Sequence, residues 1–366
     1  MYKPPYDITN KMLKFSISIT EKIGLINSFS SLKRMPVLRK NNKIKSIHSS
    51  LAIEANSLSL SQVKDVIDGK VVLGPKKEIQ EVKNAYIAYS SLNTFDGYLE
   101  EDLLRAHSIM TYLTCDESGK YRNHGEGVFD GDKVIFVAPP ENMVPTLMND
   151  LFEWLKKDND TPILIKSCVF HYEFVFIHPF GDGNGRIARL WQNVLLSKWN
   201  TIFEYIPIES QIQKYQSEYY EKISECHKNG NSNNFIEFML EMIDKTLDEI
   251  VISVEKESKN ISDQVNKLLE IMEVGIPYSA NDLIMKLGIK TKETLRSSYL
   301  NPAIENHLVA MCFSKGIPAL VSRLSATRQL GQVIRENRIT LPPQTAGAFS
   351  SATGAAGTSS AVSTIL

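Results

Sequence analysis

Three observations predict a mostly helical protein with one β-hairpin and a small winged-helix-like unit near its end. Apolar residues recur at spacings of three and four through most of the 366 residues, the period of a helix with one buried face. Two short apolar runs flank Asp130-Gly131, a hairpin turn signal. A compact series of helical patterns between Asp263 and Met311 has the size and order of a helix-turn-helix unit of winged type.

Taken in order, residues 10–70 read as helices with turn signals near Ser28 to Ser31 and at Asn41-Asn42. Residues 76–97 continue as helix, and Asp102 to Thr114 form another. From Gly119 to Pro140 the texture changes to glycine, aspartate and short β-branched runs, which is the hairpin. Pro139 and Pro140 end its second strand and mark it as an edge. Helices resume over Val144 to Leu155 and Pro162 to Ile177, and again after a glycine-rich loop. Ile206-Pro207 breaks the chain before a helix from Ser210 to Lys228. A further helix spans Asn234 to Lys256, its charges marking a solvated face, and Ser258 to Ser262 reads as a linker. The winged-type unit is then a helix to Met272, one over Ala280 to Leu287 and one over Thr291 to Leu308, with Pro302 opening its last turns. Cys312 onward departs from the wing expected there. We read residues 312–366 as an irregular tail, altered by a frameshift or similar change near position 312, and from Leu341 the Ser, Thr, Ala and Gly content predicts disorder.

Composition excludes several classes. A net charge of −1 gives no global basic field for nucleic acid or an anionic membrane. Cys115, Cys168, Cys226 and Cys312 lack Cys-x-x-Cys spacing, which argues against a zinc site or disulfide frame. With no long apolar run and no signal-peptide pattern, the expected location is the cytoplasm.

The chemistry concentrates in His178 to Arg189, His-Pro-Phe-Gly-Asp-Gly-Asn-Gly-Arg-Ile-Ala-Arg. Gly181, Gly183 and Gly185 let the backbone turn and expose its N–H groups, and the helix that follows would aim its first amides at phosphate oxygens. Asp182 is a hard oxygen donor suited to Mg²⁺ that also holds phosphates, and His178 can accept a proton near neutral pH. Other phosphate loops fit less well. A Walker loop would end Gly-Lys-Ser/Thr, a Rossmann turn would follow a strand, and an EF-hand starting at Asp182 would need Gly where Ile187 stands.

These residues resemble the Fic signature, His-Pro-Phe-x-Asp/Glu-Gly-Asn-Gly-Arg-x-x-Arg, matching all nine defined positions. The resemblance extends from about Ile44 to Lys245 and implies a Fic-fold helical bundle with the hairpin as a flap. It divides the chain into an N-terminal helical region, 1–75, with an inhibitory helix at about 46–57; a Fic core, 76–257; a winged-helix-like domain, 258–311; and the tail. It implies a protein adenylyltransferase that moves AMP from ATP to a Tyr, Thr or Ser hydroxyl of a target protein or of itself, releasing pyrophosphate.

On that resemblance His178 takes the hydroxyl proton, Asp182 holds Mg²⁺, and Gly183, Asn184, Gly185, Arg186 and Arg189 bind phosphates. Phe180 packs inward to fix the loop. Tyr219 and Tyr220 resemble a pair that flanks adenine, and the flap residues Val134, Ile135, Phe136, Val137 and Ala138 align the target by main-chain pairing. Ser50 and Glu54 resemble the inhibitory Ser/Thr-x-x-x-Glu-Gly/Asn pattern, in which the glutamate pairs with the second arginine, here Arg189; Ala55 departs from that pattern, and Asn56 and Leu58 keep it. The same glutamate could serve a subsidiary de-AMPylation by activating water. A homodimer is a further expectation. Lys286, Lys290, Lys292 and Arg296 place charge where duplex phosphates could lie, so the alternative is a DNA-binding regulator or toxin–antitoxin-type protein with a nucleotide-sensing core. No membrane partner is expected.

Overall fold

The computed structural model describes residues 2–28, 36–130, 133–260, 262–272, 276–305, 308–314 and 317–322. Two compact units divide it, the first running to Asn260 and the second beginning at Ile261.

The first unit is built around α7 (Ile163–Ile177), which is apolar on nearly every face and buried along almost its whole length. Each fully buried large apolar side chain of such a helix contributes roughly 1.5–3 kcal/mol. Against α7 pack α8 (Asn184–Trp199) and α11 (Asn233–Asn260). The N-terminal helices α1 (Asn10–Ser28) and α2 (Pro36–Ile53) belong to the same core: Met12, Ile19, Ile47 and Leu51 are buried in one cluster with Phe174 and Trp191. The expected separate region 1–75 is therefore part of the body that carries the loop. Asn41-Asn42 is no turn, because both residues lie inside α2. Asn42 is buried there and donates to the Tyr205 carbonyl at 3.1 Å, so a turn-forming residue is used as a core donor.

The chain continues through α3 (Leu60–Ile67), α4 (Lys76–Ser90) and α5 (Glu100–Met110) to the hairpin of β1 (Gly127–Asp130) and β2 (Lys133–Val137). These strands pair antiparallel with an irregularity after Val128, and they form a two-stranded sheet. Next come α6 (Val144–Lys157), α7, α8, α9 (Ile208–Lys214) and α10 (Gln216–Asn229). The single helix expected over Ser210 to Lys228 is thus two, parted at Tyr215. The expected linker from Ser258 is largely helix as well, since α11 runs to Asn260.

The second unit has its own core of Val265, Leu268, Leu283, Leu295, Leu300, Ala303 and Val309. Its elements are α12 (Asp263–Ile271), β3 (Pro277–Tyr278), α13 (Ala280–Leu287), and a continuous helix of α14 (Lys292–Thr294), a π-helical stretch Leu295–Leu300 and α15 (Asn301–Glu305). Pro302 lacks an N–H, and the widened turns directly before it accommodate that missing donor. β4 (Val309–Ser314) and β5 (Ile317–Ser322) then form an antiparallel hairpin, and β3 joins β5. This hairpin corrects the expected irregular tail as far as Ser322, and with it the reason for suspecting an altered sequence at 312. Ser314 pairs with Ile317, and Pro318 had disguised the second strand. The expected disorder from Leu341 lies outside the described residues.

Among the described residues no helix is long and apolar enough to cross a membrane, and Cys115, Cys168 and Cys226 are free thiols.

Candidate active site

His178 caps α7 in the left-handed region, with φ 51° and ψ 59°, and its N–H bonds the Phe174 carbonyl at 2.9 Å. The helix stops there and the loop turns away from its axis. Phe180 is fully buried and stacks on His107, ring centroids 3.6 Å apart. Asn184 clasps the loop from the other side: its Oδ1 accepts from the Phe180 N–H at 2.9 Å and its Nδ2 donates to the Phe180 carbonyl at 2.7 Å. Gly183 begins α8 with φ 86°, and a Cβ there would press on Thr111. The free N–H groups of the first turn of α8 therefore open at the loop, where the helix dipole favours an anion.

The His178 ring is half-buried. Its Nδ1 lies 3.3 Å from the Val175 carbonyl, an acceptor only, which puts the proton on Nδ1 and leaves Nε2 as the acceptor. Burial holds this imidazole below its ordinary pKa, against the pull of the Val175 carbonyl, and the Arg122 charge pushes the same way as burial. The ring is a neutral base at pH 7.

Asp182 and Arg186 face each other one turn apart, Oδ1 2.5 Å from Nη2, and the other guanidinium arm lies 3.3 Å from Glu81. Burial would raise the Asp182 carboxyl, but Arg186 outweighs it and holds the group below its usual value. The Asp182 carboxylate is 38% exposed, so it can also reach a ligand. Among the described residues no group of three or more His, Cys, Asp or Glu could hold a metal by itself. A single carboxylate suits a hard cation that takes its other oxygens from phosphate and water, which is the way Mg²⁺ is bound.

Arg189 is buried in α8 beneath the end of α2. Its Nη2 donates to Glu54 Oε1 at 2.7 Å and to the Ser50 carbonyl at 2.9 Å, and its Nε to Ser50 Oγ at 3.1 Å. Two donors of this pair of arginines are buried without a partner among the described residues: Nε of Arg186 and Nη1 of Arg189. Unsatisfied guanidinium N–H groups beside a helix N-terminus fit an anion.

The Glu54 carboxylate stands over Gly185, where a Cβ would run into its Oε1. It thus occupies the approach to the first turn of α8 that a phosphate would use. The end of α2 explains how it gets there. Asn56 N–H bonds the Leu51 carbonyl at 3.1 Å and Ala55 N–H the Ala52 carbonyl at 3.0 Å, with Ala55 left-handed at φ 63°. This is a Schellman cap, whose left-handed position favours Gly or Asn. The departure at Ala55 does not prevent the cap from forming; it adds strain of about 1 kcal/mol.

Comparison with known proteins agrees with this geometry. Residues 94–196 match the Fic/DOC family, and residues 263–315 match the family described as "Filamentation induced by cAMP protein Fic-like, C-terminal domain". A solved Fic family protein from Desulfovibrio desulfuricans G20 is 39% identical, with 88% of this chain and 98% of that one covered at a TM-score of 0.68. This chain belongs to the Fic family. Protein adenylyltransferase Fic of Nematostella vectensis is 29% identical over 218 residues, which is 57% of this Fic protein and 48% of the relative. Fic-1 of Caenorhabditis elegans shares the fold at a TM-score of 0.54 and 23% identity, covering 67% of this chain and 74% of that one. The chain spans about half or less of the length of the adenylyltransferases it matches.

In this Fic protein the signature residues expected at the site converge, with qualifications. Asn184 is buried and both ends of its amide bond Phe180, so its side chain shapes the loop. Tyr219 is 2% exposed, ringed by His171, Phe235 and Phe238, which removes it from any adenine face. Its hydroxyl donates to His171 Nε2 at 2.9 Å, because His171 Nδ1 must donate to Gln192 Oε1 at 2.7 Å. Tyr220 is half-buried and its hydroxyl lies 3.4 Å from the Ile53 carbonyl, so it steadies the end of α2. In the flap, Phe136 packs on His227 and Phe176, Val137 is exposed and Ala138 is buried. The side chains of Val134 and Ile135 lie outside the described residues, while their backbone lies in β2.

Three residues of the site were not foreseen. His107 donates to the Asp182 carbonyl at 2.9 Å while its Nδ1 accepts from Gly119 N–H at 2.8 Å; burial pushes its pKa down to about 4. Glu81 joins Arg186 to Asn56, whose Nδ2 donates to it at 2.9 Å. Arg122 contacts the backbone on both sides of His178. None of these has a fixed spacing from the loop, so only the fold brings them together.

Proposed function

We propose that this protein is an ATP-dependent protein adenylyltransferase held in check by Glu54. The observation that carries the reading is the tautomer and placement of His178. Nε2 is left as a proton acceptor beside an α8 N-terminus with two unsatisfied arginine donors. A Tyr, Thr or Ser hydroxyl oxygen attacks the α-phosphorus of ATP, its proton passes to Nε2, and the bond from that phosphorus to the bridging oxygen breaks, releasing pyrophosphate. Charge building on the phosphate oxygens is met by the Gly183 to Gly185 amides, Arg186 and Arg189. Asp182 would hold Mg²⁺, whose contribution is to neutralise phosphate charge. The free edge of β2, over Val134 to Ala138, would take the target segment by main-chain pairing.

In this reading Glu54 takes the Arg189 arm and the space above Gly185, so the triphosphate binds with its α-phosphorus out of line. A subsidiary removal of AMP from a modified target, with Glu54 activating water, belongs to the same reading. The test is intact mass spectrometry of Glu54→Gly protein after ATP and Mg²⁺. An added adenylate, absent in Glu54→Gly/His178→Ala, supports it; an unchanged mass with folded protein rejects it.

A further inference from the structure

Arg122 is a buried cation whose acceptors are all main-chain carbonyls. It is 3% exposed, and among the described residues no carboxylate forms an ion pair with it. Its Nε donates to the His178 carbonyl at 2.7 Å, Nη1 to the His124 carbonyl at 2.8 Å, and Nη2 to the Pro139 carbonyl at 2.5 Å, with the Ile177 carbonyl at 3.4 Å. Its own backbone N–H donates to the Pro179 carbonyl at 2.9 Å.

These acceptors belong to two different parts of the fold. Ile177, His178 and Pro179 form the corner where α7 gives way to the loop, and that corner includes a left-handed, non-glycine residue. Such a backbone persists only where its surroundings over-determine it. His124 and Pro139 bracket the hairpin: the first precedes β1 and the second follows β2. One more bond closes the neck of the hairpin, Ala138 N–H to the Glu126 carbonyl at 3.0 Å. A single planar guanidinium therefore ties the base of the hairpin to the backbone of the proposed base.

We infer that Arg122 is a positioning residue that sets the flap in register with His178, so that a hydroxyl delivered along β2 arrives opposite Nε2. This rests on the adenylyl-transfer reading above. The planar fork is essential, because Lys keeps the charge but cannot bridge carbonyls on two segments at fixed angles. Arg122 touches neither nucleotide nor hydroxyl in this role. It should therefore govern transfer while sparing ATP affinity.

The test is Arg122→Lys in the full chain, alone and with Glu54→Gly. Self-modification, ATP affinity by calorimetry, thermal midpoint, and amide hydrogen exchange are measured together. We expect transfer by Glu54→Gly/Arg122→Lys to fall on the order of 100-fold below Glu54→Gly, the scale of an ångström-sized misplacement. ATP affinity should stay within twofold. Exchange should rise together at the 124–139 hairpin and at residues 178–184, with α11 unchanged. Arg122→Gln, which keeps a planar donor but fewer bonds, should fall between Lys and Arg in hairpin protection. Transfer within threefold of Glu54→Gly, a parallel loss of ATP affinity, or exchange that rises everywhere would overturn the assignment. If Glu54→Gly itself transfers nothing, the adenylyl-transfer reading fails, and the exchange data still decide whether Arg122 couples hairpin and loop: unchanged hairpin protection refutes it.

Discussion

Glu54 Oε1 and Arg189 Nη2 are 2.7 Å apart although 135 positions separate them in the chain. Arg189 is buried, while the Glu54 side chain keeps 24% of its exposure. Burial would lower the arginine pKa, but the Glu54 charge outweighs this and raises it. On the proposed reading the pair is both a stability element and an obstacle in the site.

Removing the carboxylate separates these two effects. Glu54→Gly leaves Arg189 buried without its partner, which costs about 3 kcal/mol. The same change frees a guanidinium for phosphate, worth on the order of 100-fold in transfer. The expected result is a lower urea midpoint, recovered by ATP, together with higher self-modification. A variant as stable as wild type and no more active would contradict both halves.

Gly185 offers an independent check on where the carboxylate stands. Its φ is not in the left-handed region, so alanine meets no backbone strain; its Cβ would run into the Glu54 carboxylate first and press on Arg189 Nη1 next. Gly185→Ala should destabilise wild type by about 1–3 kcal/mol through overpacking. In Glu54→Gly the same substitution should cost less, since only the contact with the end of the Arg189 side chain remains. Equal costs in both backgrounds, measured by urea denaturation as a double-mutant cycle, would place the carboxylate elsewhere.

Ala55 carries the left-handed position of the cap that aims Glu54. Ala55→Gly should relieve that strain and stabilise the protein by about 1 kcal/mol. If Glu54 inhibits as proposed, the cap holds it in place, and basal self-modification should drop as stability rises. Stability and activity rising together would detach the cap from inhibition.

How much of this was legible in the sequence follows from the range of each interaction. The loop from His178 to Arg189 was readable because its chemistry is local: glycines, a base and an acid at fixed spacings. The Ser50–Glu54 arm became readable only through a family pattern, since nothing in an isolated helix says which charge lies beneath it. Tyr219 was misplaced because an aromatic beside a site and an aromatic beneath it look alike in sequence; its hydroxyl bond to His171 decides, and that partner lies 48 positions away. Asn42 and the β4–β5 hairpin were missed for the opposite reason. Local turn and breaker signals at Asn41-Asn42 and Pro318 were overridden by tertiary partners.

His171 supplies the last prediction, on acid stability. The ring is fully buried, and burial pushes its pKa down to about 3, against the help of Gln192. A depressed folded-state pKa means that the unfolded chain takes up the proton first as pH falls. The stability contributed by the neutral ring is complete above the unfolded value near 6.5 and is lost as pH falls toward 3. Glu173, raised to about 7 by burial, works in the opposite direction above pH 4.5, so the total profile mixes signs. The comparison of wild type with His171→Gln cancels that background. Glutamine should lower stability at pH 7.5, where it replaces a bonded ring, yet flatten the slope between pH 6 and 4 by about 1.4 kcal/mol per pH unit, one proton's worth. Urea denaturation at half-unit steps measures both quantities. Parallel slopes for the two proteins would mean that this imidazole is not held neutral by its burial, and the bond from Tyr219 to Nε2 would have to be reversed.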